Sequence, residues 1–238
     1  MMIKSIYLSP STQEKNVGVG NYGTEEYRMN LICDMLQKIL EENNIIVYRN
    51  RPEWNLQKVV DDSNEKCPDI HLALHSNACN GTARGCEVFC HRFGGEGNKL
   101  AELIYLELER ITPTKDREIK EGYNFFGKGK NLYELANTKT PSVLVEVAFH
   151  DNPQDAEWII NDMKNIADTI AKAVLKHFDI VPAEKDTKID EAVKILQDKG
   201  IIDSPDYWIQ NAVKGKMING EYAAIFIERI AALFLNRP

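Results

Sequence analysis

Three short stretches of the chain set polar groups against apolar runs, and each can do chemistry. In Leu72-Ala73-Leu74-His75-Ser76-Asn77-Ala78 an apolar strand ends in a histidine followed by small polar residues. An imidazole at a strand end can point into a cleft, and it is the commonest metal ligand. Taken alone, such a histidine is more often a core residue satisfied by a backbone carbonyl. In Val143-Leu144-Val145-Glu146-Val147-Ala148-Phe149 a carboxylate interrupts the most apolar run in the chain. Burial there is costly unless the group is paired, protonated or bound to a metal. It also raises the carboxyl pKa towards neutrality, which suits a general base. A structural ion pair with Lys or Arg explains Glu146 equally well. In Gly23-Thr24-Glu25-Glu26-Tyr27-Arg28-Met29-Asn30 the residues Glu26 and Asn30 lie four apart, on one face of a helix start. Two acidic residues there also suit the helix dipole, so capping alone can account for them. Together, a His and a Glu as ligands with a second Glu as base make a hydrolytic zinc arrangement.

The elements that must position these residues follow from hydrophobic spacing. Ile3 to Leu8 reads as a first strand, ended by Ser9-Pro10-Ser11, and residues 9–24 as a long polar loop. Thr24 is a candidate N-cap, and Met29, Ile32, Cys33, Leu36 and Leu40 follow at helical spacing. Strands are expected at 45–48, 69–75, 85–91 and 142–147, with helices around Leu56–Val60, Leu100–Leu108 and Ile159–Phe178. This alternation predicts an α/β domain: a mostly parallel twisted sheet with helices on both faces, plus a small C-terminal helical module. Functional groups in such a sheet collect at the carboxyl ends of strands, which points at the 9–24 loop, at His75 and at the end of the Glu146 strand. The domain expectation is 1–180 for the α/β part, 181–187 for a polar linker and 188–238 for the module.

With 29 basic against 36 acidic residues the chain carries a formal net charge of -7, which argues against nucleic acid as a partner. No apolar run is long enough for a spanning helix, and Met1 to Leu8 lacks the pattern of a signal peptide, so synthesis in a cytoplasm without membrane insertion is expected. The five cysteines, Cys33, Cys67, Cys79, Cys86 and Cys90, are odd in number and irregularly spaced, which reads as reduced thiols. Cys86 and Cys90 read as strand residues sharing a face with Val88, not as a metal knuckle. Neither a Gly-x-Ser-x-Gly elbow nor a phosphate-binding Gly-x-x-x-x-Gly-Lys-Ser/Thr loop is present, which disfavours a serine hydrolase and a nucleotide hydrolase.

The segments Glu26-Tyr27-Arg28-Met29-Asn30-Leu31, His75-Ser76-Asn77-Ala78, Gly85-Cys86-Glu87-Val88, Leu132-Tyr133-Glu134-Leu135 and Pro141 to Asn152 follow one another in an order that resembles the zinc-dependent N-acetylmuramoyl-L-alanine amidases of bacteria and phage endolysins. The resemblance runs from about Ile6 to Phe178. It implies hydrolysis of the amide between muramic acid and L-alanine in peptidoglycan. It also implies Zn2+ held by Glu26 and His75, Glu146 as catalytic carboxylate, and Asn77 on the substrate side. A cytoplasmically made enzyme of this kind would reach the wall after release by lysis.

One departure stands out. The family takes its remaining zinc ligand from a histidine in the loop after the first strand. Here that loop reads Ser9-Pro10-Ser11-Thr12-Gln13-Glu14-Lys15-Asn16, and Lys15 falls nearest the vacant position. A protonated amine has no lone pair for a metal. His71 is about 13 Å from His75 along the same strand face, too far to share one tetrahedral site, and His150 is a more distant choice. Three readings stay open: zinc held weakly by two residues and water, another group completing the site, or a lost ligand and a weakly active or non-catalytic wall-binding relative. The C-terminal stretch, with Tyr207-Trp208, resembles helical modules of wall enzymes. Wall binding or self-association is expected of it, with its rings more often used for packing than for stacking on sugars.

Overall fold

The computed structural model describes residues 3–114, 117–182, 187–213 and 215–235. The chain divides into two compact units, Met1–Ala183 and Glu184–Pro238. Most of the expected linker, residues 183–186, lies outside the described residues.

The first unit is built on a six-stranded sheet. The strands are β1 (Ser5–Pro10), β2 (Ile46–Arg49), β3 (Ile70–Asn77), β4 (Glu87–Cys90), β5 (Ile119–Glu121) and β6 (Ser142–Phe149), in the order β2-β1-β3-β6-β4-β5. β2, β1, β3 and β6 run parallel, while β4 is antiparallel to β6 and parallel to β5. The central strands β3 and β6 are flanked on both sides, so they read as near-continuous apolar runs. β1 begins and ends two residues later than hydrophobicity alone suggests. Ser9 and Pro10 belong to the strand, opposite Ala73 and Leu74, and Pro10 takes its last position. β5 is only three residues long and escapes period analysis.

Side chains alternate across the sheet, and the two faces differ in kind. On one face Ile6, Leu8, Leu72, Leu74, Val143, Val145 and Val147 pack with the helices α1 (Glu25–Glu42), α3 (Gly95–Glu109) and α5 (Pro153–His177) in the main core. On the other, a small apolar cluster of Ala73, Phe89, Leu135 and Leu144 is bordered by polar groups. That face is covered by α2 (Leu56–Lys66) and the five-residue α4 (Tyr133–Asn137). Cys33, Cys86 and Cys90 are buried and Cys67 and Cys79 exposed.

The second unit holds α6 (Thr187–Asp198), α7 (Pro205–Asn211) and α8 (Gly220–Leu235). Val193, Ile201 and Ile202 form its core, with Trp208 and Phe226 packed against it. Tyr207 stacks on Tyr222 at 4.2 Å between ring centroids, and Trp208 meets Phe226 at 5.1 Å. These rings serve packing within the module.

Candidate active site

Strand register places His75 directly opposite Glu146. Neighbours on paired parallel strands point to the same face, so the two side chains emerge together at the polar end of the less apolar face. Glu87 sits opposite Glu146 on the other side, across the antiparallel pairing. The β3–β6 register slips between His75 and Asn77, the kind of irregularity that re-aims side chains beside sites. Asn77 follows with its amide 3.4 Å from Glu87 Oε2.

A second carboxylate reaches this point from helix α1, and it is Glu25, not Glu26. Glu25 is buried, its Oε1 lies 2.8 Å from His75 Nδ1, and the Ser76 N–H points at it from 3.4 Å. Glu26 stays at the helix surface, where Asn30 Nδ2 donates to its backbone carbonyl at 2.8 Å and reaches its Oε1 at 3.4 Å. The choice between adjacent acids is made by the loop before the helix. The Glu25 N–H donates to the Asn16 carbonyl at 2.8 Å, and Val17 bridges Thr24, so the first turn meets the sheet with residue 25 facing inward. Thr24 caps the helix by accepting from the Tyr27 N–H at 3.1 Å. Buried Arg28 then clamps the loop, with Nε and Nη2 donating to the Tyr22 carbonyl at 3.0 and 2.7 Å.

Around this core runs a hydrogen-bonded network. Asn16 Nδ2 donates to Glu25 Oε2 at 2.5 Å, while its Oδ1 lies 3.1 Å from His150 Nε2. His150 Nδ1 meets Ser76 Oγ at 2.9 Å, and Ser76 Oγ meets the Tyr22 hydroxyl at 2.6 Å. Asp155 ties the end of β6 to the loop before β4, accepting from the Phe149 N–H at 3.2 Å, the Gly85 N–H at 2.9 Å and Arg84 Nε at 2.7 Å. Asn16, Tyr22 and Asp155 have no signature in a single sequence. Asn16 alone carries a hint, lying next to the Lys15 position.

The charges are unevenly distributed. Burial raises the Glu146 carboxyl to about 8, with Glu25 and Glu87 adding to the rise and His75 opposing it. Its Oε2 is buried without a hydrogen-bond partner. Burial works against a charged His75, but Glu134 and Glu25 outweigh it and hold the ring well above its ordinary value. Burial also works to raise Glu25, and His75, Ser11 and Asn16 bring it below the usual carboxylate range. Burial holds His150 below its ordinary value. The pocket thus gathers Glu25, Glu134 and Glu146 around one imidazole, while Glu87, opposite Glu146, is paired with Arg117 and Lys120.

Tested against a catalytic zinc, this donor set is short by one. Such a centre takes three protein ligands and keeps a fourth position open. Glu25 Oε1 and His75 Nδ1 converge as two donors, but among the described residues no group of three His, Cys, Asp or Glu side chains could hold a metal ion. Lys15 is exposed in the 11–16 loop. His150 is separated from Glu25 by the Asn16 amide.

Residues 6–176 match the family model described as N-acetylmuramoyl-L-alanine amidase. An uncharacterized cell wall amidase of Bacillus anthracis is 30% identical over 139 residues, covering 52% of this chain and 24% of that protein. The N-acetylmuramoyl-L-alanine amidase LytC of Bacillus subtilis is 26% identical over 162 residues, covering 64% of this chain and 31% of the relative. The chain therefore spans about a quarter to a third of these two relatives. The catalytic domain of CwlV, an N-acetylmuramoyl-L-alanine amidase from Bacillus (Paenibacillus) polymyxa, superposes with a TM-score of 0.65 at 17% identity, covering 75% of this chain and 99% of that domain. This likeness establishes the fold, and the family match over residues 6–176 establishes the kinship: the chain belongs to the N-acetylmuramoyl-L-alanine amidase family.

Proposed function

We propose that this chain hydrolyses the amide joining N-acetylmuramic acid to the L-alanine of the stem peptide, with Glu146 as the proton-transferring carboxylate. The observation that carries the reading is the register of His75 against Glu146, with Glu25 meeting His75 at 2.8 Å. Glu146 is suited to both halves of the reaction. Held near neutrality and unpartnered at Oε2, it can take a proton from a water attacking the carbonyl carbon and return it to the departing nitrogen. Asn77, whose amide lies 3.4 Å from Glu87 Oε2 at the β3 end, is the residue we expect on the substrate side. Zinc remains the expected cofactor of this family; Glu25 and His75 would hold it here and it would activate the attacking water, and we expect weak retention because the Lys15 position supplies no ligand.

A second reading is favoured by that same missing ligand: a wall-binding relative without hydrolysis. Digestion of purified peptidoglycan separates the two. Amidase activity releases free amino groups from L-alanine, and Glu146→Gln is expected to lower that release by about 10²–10⁴-fold, the span of general acid–base catalysis. Wild-type protein that binds walls and, supplied with zinc, releases no amino groups would establish the second reading.

A further inference from the structure

The imidazole of His75 has a carboxylate on each side. Its Nδ1 faces Glu25 of α1 at 2.8 Å, and its Nε2 faces Glu134 Oε2 of α4 at 3.8 Å. Glu134 is itself held: His71 Nε2 donates to its Oε1 at 2.8 Å. His71, fully buried, is fixed in turn by Ser63 Oγ, 2.8 Å from its Nδ1, and by the parallel ring of Tyr7, 5.3 Å away with 9° between planes. Tyr7 ends the chain of contacts by donating to Asp62 Oδ2 at 2.9 Å.

Such a network is expensive for a fold to carry. A buried carboxylate and the buried imidazole of His71 can be replaced by apolar groups of similar volume with no loss, and often a gain, of stability. Its geometry instead answers a problem of orientation. A histidine ring can rotate half a turn about its Cβ–Cγ bond and exchange a nitrogen for a carbon at the pocket. A carboxylate facing Nε2 selects one of these orientations, the arrangement that steadies ligand and catalytic histidines.

We propose that Glu134 is a positioning residue that fixes the His75 ring with Nδ1 towards Glu25, and that His71 acts through Glu134 by anchoring its carboxylate. The role at catalysis rests on the amidase reading above; the orientation of the ring does not. The brace is independent of the position left by Lys15. It also gives His71 a function that needs no metal.

The test uses the full chain, stripped of metal and held at one pH, with Glu134→Gln, Glu134→Asp and His71→Gln. Nitrogen-15 and proton NMR of the imidazole groups reads the ring N–H signals of His71 and His75 directly. Glu134→Gln is expected to move the His75 ring signals and to broaden them as the ring gains a second orientation, with the fold intact by thermal melting. Glu134→Asp restores the wild-type pattern in part. His71→Gln also shifts the His75 signals, although His71 does not touch that ring, and this variant decides the matter if Glu134→Gln does not fold. In wall digestion kcat falls by about 10–100-fold, with KM little changed. Folded Glu134→Gln or His71→Gln protein with unaltered His75 signals overturns the proposal. Wild-type protein inactive on walls would defeat the amidase reading and leave the NMR result to decide the brace.

Discussion

At Glu146 a carboxyl that ordinarily titrates near 4.5 is pushed to about 8 because burial removes its water and Glu25 and Glu87 stand close. Between those two values the folded chain holds a proton that the unfolded chain has lost. Stability from this group therefore falls as pH rises through the window, and above about 8 an unpartnered charge is buried. Glu146→Gln lifts that burden. Thermal melts from pH 5 to 9 are expected to show the variant gaining over wild type as pH rises, by about 1–3 kcal/mol at the alkaline end. At roughly 2–4 °C per kcal/mol for a chain of this size, the shift is readily measured. A variant that melts lower than wild type at pH 9 would show that Glu146 is paired. Lys15 makes the opposite kind of prediction. If its place is the vacant ligand position, Lys15→His binds zinc more tightly by at least about tenfold, or 1.4 kcal/mol, in calorimetric titration of metal-free protein. Unchanged affinity would place the missing donor elsewhere.

The elements deliver these residues, and here legibility in the sequence divides by length. β3 and β6 are readable as strands because the apolar runs Leu72-Ala73-Leu74 and Val143-Leu144-Val145 lead into His75 and Glu146, although the residues alone leave core or ion-pair roles open for both. α1 is readable from Met29, Ile32, Cys33, Leu36 and Leu40, yet the sequence reading takes Glu26 as the acid of the site, whereas Glu25 is the one that meets His75. That is decided by the bond from the Glu25 N–H to the Asn16 carbonyl, a contact across a loop that no periodicity encodes. The five-residue α4 and three-residue β5 are too short for any period, so Glu134 could be noticed only through family resemblance. The loop has one narrow point. A Cβ on Gly18 would lie 2.5 Å from a Tyr22 ring carbon and 2.8 Å from the His150 carbonyl oxygen. Gly18→Ala is expected to destabilise the chain by about 1–3 kcal/mol and to disturb wall digestion, since Tyr22, Ser76 and His150 move together. Unaltered melting would mean that this loop yields freely.

For the molecule as a whole, the first unit contains the sheet, the main core and every residue assigned to the pocket, while the second has its own small core around Val193, Ile201 and Ile202. A chain of residues 1–183 is expected to fold and to digest solubilised wall fragments at the full-length rate. Any loss should fall on intact walls if the helices serve attachment. Failure of 1–183 to fold would make the helices part of the scaffold. No helix among the described residues is long and apolar enough to cross a membrane.

The pairing of β3 with β6 has a bearing on biosynthesis. Ser76 and His150 touch although they stand 74 positions apart in the chain, and His75 meets Glu146 by the same juxtaposition. While a ribosome is still translating the segment before β6, the nascent polypeptide already has His75 but lacks the Glu146 carboxyl group that faces it in the folded sheet. On the amidase reading, a chain that stops before β6 is expected to be inactive, because His75 then has no Glu146 opposite it.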